Sequence, residues 1–521
     1  MDRLLLLLWL IESIAMPTQS AKILLIPGNM NSHTHYFARL GDQLARLGHR
    51  TLLLAPSNGK IPTHLAGGNF TIDTFPVKTE VPFTGTPEMS KMVIDMALGE
   101  HSFIGVLPKI VSMTKAMAAD VLSDCTAMLE NKTLVEMLQK ERYDFAVMDL
   151  MCVCCYLLPY SLAMPYSSFS VGFSTLMYRV PRLPSMVPPA FFASVSDEMT
   201  FKTRLLSLTY EFIMPWLLPA VSADFFRKYA PHRPTIDSID LVQQSSLWFY
   251  LEDLAVGLPV PNMPNTVSIG DVMAQPAKPL PVGLRQFIDE SPDGAVVLSL
   301  GSYIDVIPED VAAKFCSTFR SLKYRVIWKF KSPELCPNAS NVRILPWIPQ
   351  NDVLAHRNVK LFITHGGWNS LLESVYHAKP VIVFPIFGDQ PGNAAIAIAK
   401  GFGIYMDIAH FAADDLTNNI NRILSEESFQ ASADLASAIL RDKPESAAER
   451  ASFLIEHVLK YGDRHLRTGA FNLSTAQFIL FDIFAAIFGA FIALLIVLFL
   501  IGRCVYRSCC KSVGRVKKKA D

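Results

Sequence analysis

The sequence predicts an α/β protein in which two doubly wound, parallel-sheet domains stand in tandem ahead of one membrane-spanning helix. Three observations predict it. Short apolar runs alternate with amphipathic stripes in two stretches, one beginning at Lys22 and one at Ala295. Pro276, Pro279 and Pro281 punctuate the chain between them, and the run from Ile483 to Ile501 carries no charge. A chain of 521 residues also exceeds what one ordinary core accommodates, so two domains of usual size are expected.

The chain opens on Met1-Asp2-Arg3, an apolar run from Leu4 to Ile11, and Thr18-Gln19-Ser20-Ala21. A short apolar run backed by small residues is the pattern of a secretory signal peptide, cut near Ser20; an uncleaved anchor is the alternative. Lys22-Ile23-Leu24-Leu25-Ile26 reads as a buried strand ended by Pro27-Gly28. Phe37, Leu40, Leu44 and Leu47 then recur at three and four residues, the stripe of a helix that Asn31 or Ser32 caps and Gly48 closes. Thr51-Leu52-Leu53-Leu54 is the next strand of this β-α-β unit.

From roughly 160 to 240 the chain reads as irregular, rich in Pro, Met and aromatics. Its apolar segments, Leu205-Leu206 and Phe212 to Leu218, fit a pocket lining, a membrane-facing surface or ordinary core equally well. Beyond the proline linker the alternation resumes. Ala295 to Ser299 is a strand, Pro308 opens a helix, and Arg325 to Trp328 is a strand. Lys360 to Thr364, a helix from Trp368, Pro380 to Phe384 and a helix from Gly392 follow. Sheets of this kind place active sites beyond the carboxyl ends of their strands, and pockets favour domain interfaces. A cleft between the two domains is the expected site.

Ile483 to Ile501 covers roughly 28 Å at about 1.5 Å per residue, enough to cross a hydrocarbon core. Arg503, Arg507, Lys511, Arg515 and Lys517 to Lys519 follow as a basic tail, which belongs on the cytosolic side and places the main body in the lumen. Lys518-Lys519-Ala520-Asp521 has the form of a dilysine retrieval signal for the endoplasmic reticulum. Asn69, Asn131, Asn338 and Asn472 head glycosylation sequons in the lumenal part. Lys+Arg and Asp+Glu are equal at 47 each, which lacks the basic surplus of a nucleic-acid binder. The 9 cysteines are too few for a disulfide scaffold. Cys152, Cys154 and Cys155 read as core, having no second ligand pair at zinc spacing. Cys504, Cys509 and Cys510 border the membrane as palmitoylation candidates.

The segment from Trp347 to Gln390 carries the chemistry. It holds Trp347-Ile348-Pro349-Gln350, then Thr364-His365-Gly366-Gly367-Trp368-Asn369-Ser370, Glu373 and Gly388-Asp389-Gln390. A nucleotide-sugar needs an aromatic face for its base, and Trp347 can provide it. Its diphosphate needs backbone N–H groups at a helix start, where His365-Gly366-Gly367 lets the backbone approach. Asn369 and Glu373 share one helix face, and a carboxylate there can accept both ribose hydroxyls. Each piece alone also fits a plain turn or a core residue.

In this order and spacing the segment resembles the motif of the UDP-glycosyltransferase family, and the likeness extends from the signal through Ser32-His33 and Ser299-Leu300-Gly301-Ser302 to the anchor and basic tail. The chain is similar to animal UDP-glucuronosyltransferases of the endoplasmic reticulum. That resemblance implies the two-domain GT-B fold, with no metal and no cofactor beyond the UDP-sugar co-substrate. It divides the chain into a signal (1–20), an acceptor-binding domain (21–275), a UDP-sugar-binding domain (276–455), a return segment (456–482), the membrane helix (483–501) and a cytosolic tail (502–521). It further implies that Trp347 and Gln350 hold uridine, Glu373 the ribose, Ser302, His365 and Asn369 the diphosphate, and Asp389 and Gln390 the sugar hydroxyls. Lys329 stands where an arginine is more usual, keeping the charge without the bidentate fork.

The family's general base is a histidine in a Ser-His pair sixteen residues before a Gly-His pair, which is His33 ahead of His49; His35 is the rival, two residues out of register. The partner carboxylate follows Tyr143-Asp144 by five residues, at Asp149. Both lie just past apolar strands, so they can meet at one sheet's carboxyl edge; a turn histidine and a strand-end cap are the plainer alternatives. The implied reaction is inverting transfer of glucuronic acid to a hydroxyl of a small lipophilic acceptor, His33 taking the proton and Asp149 holding its tautomer. No Asp-X-Asp pair occurs to bridge a metal to the diphosphate. UDP-glucose as donor, or a silent lipophile-binding member, are the alternatives. A homo-oligomer in the membrane is a family expectation.

Overall fold

The computed structural model describes residues 20–59, 61–62, 66–79, 81, 83–99, 103–170, 179–180, 182–188, 198–217, 221–270 and 272–517. The signal peptide, apart from Ser20, and Lys518 and Lys519 of the retrieval signal lie outside them. Two compact units divide the chain, 1–466 and 467–521.

The first unit contains both sheets. In chain order its elements begin with β1 (Lys22–Ile26), α1 (Asn31–Arg46), β2 (Arg50–Pro56), β3 (Phe70–Phe75), α2 (Pro87–Leu98), α3 (Phe103–Glu130), β4 (Phe145–Asp149), β5 (Tyr166–Ser170), α4 (Phe201–Leu217), β6 (Trp248–Tyr250) and β7 (Thr266–Ser268). These strands form one parallel sheet in the order β3-β2-β1-β4-β5-β6-β7. The second sheet collects β8 (Ala295–Ser299), α5 (Glu309–Ser321), β9 (Arg325–Lys329), β10 (Val342–Leu345), β11 (Val359–Thr364), α6 (Trp368–Tyr376), β12 (Val381–Val383), α7 (Gln390–Ala399) and β13 (Gly403–Tyr405). Its strands run parallel in the order β10-β9-β8-β11-β12-β13. The central strands of each sheet, such as β1, β4 and β8, are buried on both faces, which is why they read as nearly unbroken apolar runs.

The two halves exchange helices. In α2, Met89, Val93, Ile94 and Met96 pack into the core beneath Val296, Leu298 and Trp328 of the second sheet. The Ser90 hydroxyl there accepts from Asp305 N (3.0 Å) and Val306 N (3.2 Å). In return, α8 (Ala447–Tyr461) lays Ala447, Ala451, Ile455 and Val458 against Phe37, Leu40 and Leu44 of α1. His49, buried beside it, accepts from Ala21 N (3.2 Å) and meets Glu456 Oε1 of α8 at 3.0 Å. The boundary placed at 455 thus falls inside a helix that belongs to the first sheet's core.

Several sequence expectations need correction. Helix α1 is capped by Met30 without a side-chain bond, because it starts a residue before either expected cap could serve; Leu47 lies beyond its end and is exposed. Gly48 closes it with φ +95°. Helix α7 starts at Gln390 rather than Gly392, with Pro391 in its first turn, where a missing N–H costs nothing. Among its described residues the middle region is irregular over 179–180 and 182–188 but helical beyond, in α4 and the short helices Ala223–Tyr229 and Ser238–Gln243. Leu205, Leu206 and Phe212 are exposed there, which excludes ordinary core for them. Cys152, Cys154 and Cys155 are buried, but as bridges, Cys152–Cys155 and Cys125–Cys154; Cys316–Cys336 closes a third. Of the sequon asparagines, Asn69, Asn338 and Asn472 are exposed, whereas Asn131 caps a helix by accepting from Leu134 N.

In the second unit, α9 (Phe481–Lys517) is long and apolar enough to span a bilayer from Phe481 to Arg507, and its side chains in that stretch are exposed.

Candidate functional site

In each sheet the strand order reverses at one place, and a crevice forms beyond the strand ends there. In the first sheet it lies between β1 and β4, paired in register from Ile23↔Phe145 to Ile26↔Met148. Asp149 is the next residue of β4, and the chain leaving β1 turns through Gly28 into the first turn of α1, where His33 sits.

His33 Nδ1 stands 2.6 Å from Asp149 Oδ2, both side chains almost wholly buried. The same oxygen accepts from Gly28 N (2.8 Å), and Oδ1 accepts from Met151 N (2.9 Å). A carboxylate ringed by N–H donors acts as acceptor, so it holds the proton on His33 Nδ1 and leaves the Nε2 lone pair for an acid. A β-carbon on Gly28 would come 3.0 Å from Asp149 Oδ2, so glycine lets that backbone approach. The rings of Tyr36 and Phe169 flank the imidazole at centroid distances of 6.3 and 6.2 Å. They also belong to the buried core, packing with Leu40, Ile269 and Ala451. His35 is partly buried, and the carboxylate meets His33.

The second crevice lies between β8 and β11, paired up to Thr364↔Ser299. Leu300-Gly301-Ser302 leaves one strand and His365-Gly366-Gly367 the other, leading into α6. The His365 ring fits between two glycines: a β-carbon on Gly301 or on Gly367 would come 2.6 Å from its Nε2. Gly301 and Gly366 also adopt φ +85° and +82°, a left-handed backbone that disfavours other residues. Burial first, and the charge of Lys329 second, push the His365 pKa down to about 3, so the ring is neutral at physiological pH.

Around this ring the structure gathers the other expected residues. Lys329, ending β9, donates to Gly301 O (2.6 Å) and lies 5.1 Å from the centre of the Trp347 ring. Trp347 is 68% exposed, an aromatic face open to a base. Gln350 Nε2 donates to Glu373 Oε2 (2.6 Å) and Ser370 Oγ (3.2 Å), so it orients the carboxylate expected to meet ribose. Asn369 stands in the first turn of α6, and Ser302 is exposed beyond β8. Asp389 is the N-cap residue of α7, and burial raises its pKa. Gln390 is buried, its Oε1 accepting from Ile386 N (2.8 Å) and Phe387 N (3.0 Å); that oxygen is therefore committed to the backbone.

Sequence reasoning missed two supports. Asn393, buried, donates through Nδ2 to both Gly366 O (2.9 Å) and Asp389 Oδ2 (2.6 Å), tying the glycine turn to the start of α7. Its position four residues after Asp389 was the available signal. Asp124, buried in α3, accepts from Asn29 Nδ2 (2.7 Å) in the loop that carries His33; burial above all lifts its pKa to about 6. Nothing local in the sequence announces that contact.

The model of the family described as "UDP-glucoronosyl and UDP-glucosyl transferase" matches residues 21–519. The chain is 29% identical over 513 residues to the 2-hydroxyacylsphingosine 1-beta-galactosyltransferase of Mus musculus, spanning 96% of this chain and 91% of that one. It is 30% identical over 457 residues to UDP-glucuronosyltransferase 2B14 of Oryctolagus cuniculus, 85% of each chain. With UDP-glucuronosyltransferase 1A1 of Homo sapiens the identity is 28% over 518 residues, 96% and 94% of the two chains. Among solved structures, a UDP-glucosyltransferase from Polygonum tinctorium superposes with a TM-score of 0.59 at 16% identity, over 85% of this chain and 99% of that one. Spinosyn forosaminyltransferase SpnP does so at 0.58 and 18%, over 84% and 100%. At such identities these structures speak for the fold, which is GT-B.

Proposed function

This chain belongs to the UDP-glucoronosyl and UDP-glucosyl transferase family, as a UDP-sugar glycosyltransferase of GT-B fold, and we propose that it moves glucuronic acid from UDP-glucuronate to a hydroxyl of a small lipophilic acceptor. The observation that carries the mechanism is the buried His33–Asp149 pair at the first sheet's strand reversal. His33 Nε2 takes the acceptor proton as the hydroxyl oxygen attacks the anomeric carbon from the side opposite UDP, so the α-linked donor yields a β-glycoside. Asp149 keeps the ring in the Nδ1–H tautomer and stabilises the imidazolium that forms.

The donor reading rests on the second crevice. Trp347 stacks on uracil, and Glu373, aimed by Gln350, accepts from the ribose hydroxyls. The helix start after Gly367, the neutral His365 ring, Asn369, Ser302 and the Lys329 charge meet the diphosphate as UDP leaves. Asp389 and the Gln390 amide group meet the sugar hydroxyls. The lipophilic acceptor is carried over from the family likeness, with the rings of Tyr36 and Phe169 standing beside His33. The apolar α9, the basic residues that follow Ile501 and the three disulfides support a single-pass anchor, with the catalytic body in the oxidising lumen of the endoplasmic reticulum.

Microsomes containing the full chain, given a panel of phenolic acceptors with UDP-glucuronate, UDP-glucose or UDP-galactose, test the donor. Product from UDP-glucuronate alone is expected. Product only from another donor would overturn the glucuronate assignment, and a galactoside would align the chain with its sphingosine-modifying relative.

A further inference from the structure

Two neighbouring residues near the end of α3, Asp124 and Cys125, each grip one of the loops that carry His33 and Asp149. Side chains one residue apart on a helix diverge by about 100°, which lets this pair reach in two directions. Asp124 accepts from Asn29 Nδ2 (2.7 Å), in the connection that leads from β1 into the helix turn bearing His33. Cys125 is bridged to Cys154, in the turn that follows Asp149. That turn folds back on the carboxylate, since Met151 N donates to Asp149 Oδ1 (2.9 Å) and Cys152 N to Asp149 O (3.1 Å). The two loops meet beside Asn29, where Gly28 N donates to Asp149 Oδ2 (2.8 Å), the oxygen that holds His33.

We propose that Asp124 is a positioning residue for transfer: through Asn29 it fixes the loop of His33, while the adjacent bridge fixes that of Asp149. Helix α3 then sets how the two side chains meet. The proposal rests on the reading of His33 as the base. A carboxylate is a costly choice if packing is its only task. It is buried and bonded to a neutral amide, and burial, followed by the repulsion of Asp120 one turn away, lifts its pKa to about 6. An apolar side chain would fill the site without that cost, so the gain lies in the acceptor it aims at Asn29. The Asn29 amide depends on that acceptor. Its second contact, to Asn58 Oδ1, is longer at 3.3 Å, and Asn58 is itself committed to Thr79 O at 2.7 Å.

The test treats microsomes containing the full chain with diethyl pyrocarbonate, which acylates imidazole nitrogen. The His33 and His365 peptides are followed by mass spectrometry, alongside kcat and the UDP Kd. In D124A the His33 peptide should react at least about fivefold faster, the release expected when a buried amide loses its acceptor. The kcat should fall by roughly 10- to 100-fold, the effect of a misplaced catalytic group, with the UDP Kd and the His365 peptide as in the native chain. D124N, which keeps an oxygen for Asn29, should bring His33 reactivity and kcat back to within about threefold of native. Native His33 reactivity in D124A, acceleration of His365 in step with His33, or failure of D124N to restore either readout would overturn the proposal. Undiminished transfer by H33A would instead sink the reading of His33 as the base, and the reactivity comparison would still decide whether Asp124 positions it.

Discussion

The two sheets reverse their strand order in the same way, yet their crevices are furnished differently. In the first, β1 and β4 deliver a histidine and a carboxylate already in contact, both buried, with the carboxylate oxygens accepting from two backbone N–H groups. In the second, the His365 ring is wedged between glycines, and the groups expected to meet ligand, Trp347 and Ser302, face outward. On the proposed function, the first crevice moves a proton and the second lets a nucleotide approach backbone. Proton transfer needs a fixed, desolvated pair, whereas binding a diphosphate needs absent side chains and open N–H groups.

Breaking the first crevice costs the most. Asp149→Asn puts an amide where three donors converge, so one N–H faces another and the His33 tautomer is released. Transfer should fall by about 10²–10⁴-fold in kcat, with the UDP Kd from calorimetry unchanged. Equal losses in both would tie Asp149 to the donor instead. In the second crevice, Gly301→Ala drives a methyl into His365 and strains a left-handed backbone. It should cost about 1–3 kcal/mol of stability and weaken UDP binding, while Gly283→Ala, in open space within a helix, loses neither. Trp347→Ala should raise the UDP Kd by about 5- to 150-fold, for about 1–3 kcal/mol of stacking. Its melting temperature should stay put because the ring is exposed.

The smallest effects separate the crevices by sign. His365 stays neutral in the fold down to about pH 3, whereas unfolded histidine protonates near pH 6.5. The unfolded state therefore binds more protons in between, and stability falls as pH drops from 6.5 toward 3. Asp124 behaves oppositely. Its folded pKa of about 6 lies above the ordinary 3.8, so its contribution is full below about pH 4 and is lost as pH rises through 6. Denaturant unfolding across pH should show His365→Gln flattening the acid-side loss, and Asp124→Asn gaining on the native chain above pH 6. Parallel curves for either variant would refute that assignment.

Much of the fold was legible because parallel strands buried on both faces must be apolar runs, as Ala295–Ser299 is. The placing of His33 and Asp149 past two such strands was legible for the same reason. What escaped depends on partners distant in sequence. The exchange of α2 and α8 between the cores, the Asn29–Asp124 bond and the Cys125–Cys154 bridge leave no local trace. Helix α4 was misread because its apolar residues face outward while Ser207, Thr203 and Tyr210 face in, which inverts the pattern that periodicity reads.

The central claim is that the first crevice performs the chemistry and the second holds the donor. Its most direct test is His33→Ala, assayed for transfer and for UDP binding on the same preparation. The account predicts transfer reduced by at least about 10²-fold with the UDP Kd unchanged. Undiminished transfer, or UDP affinity lost in step with it, would contradict that division.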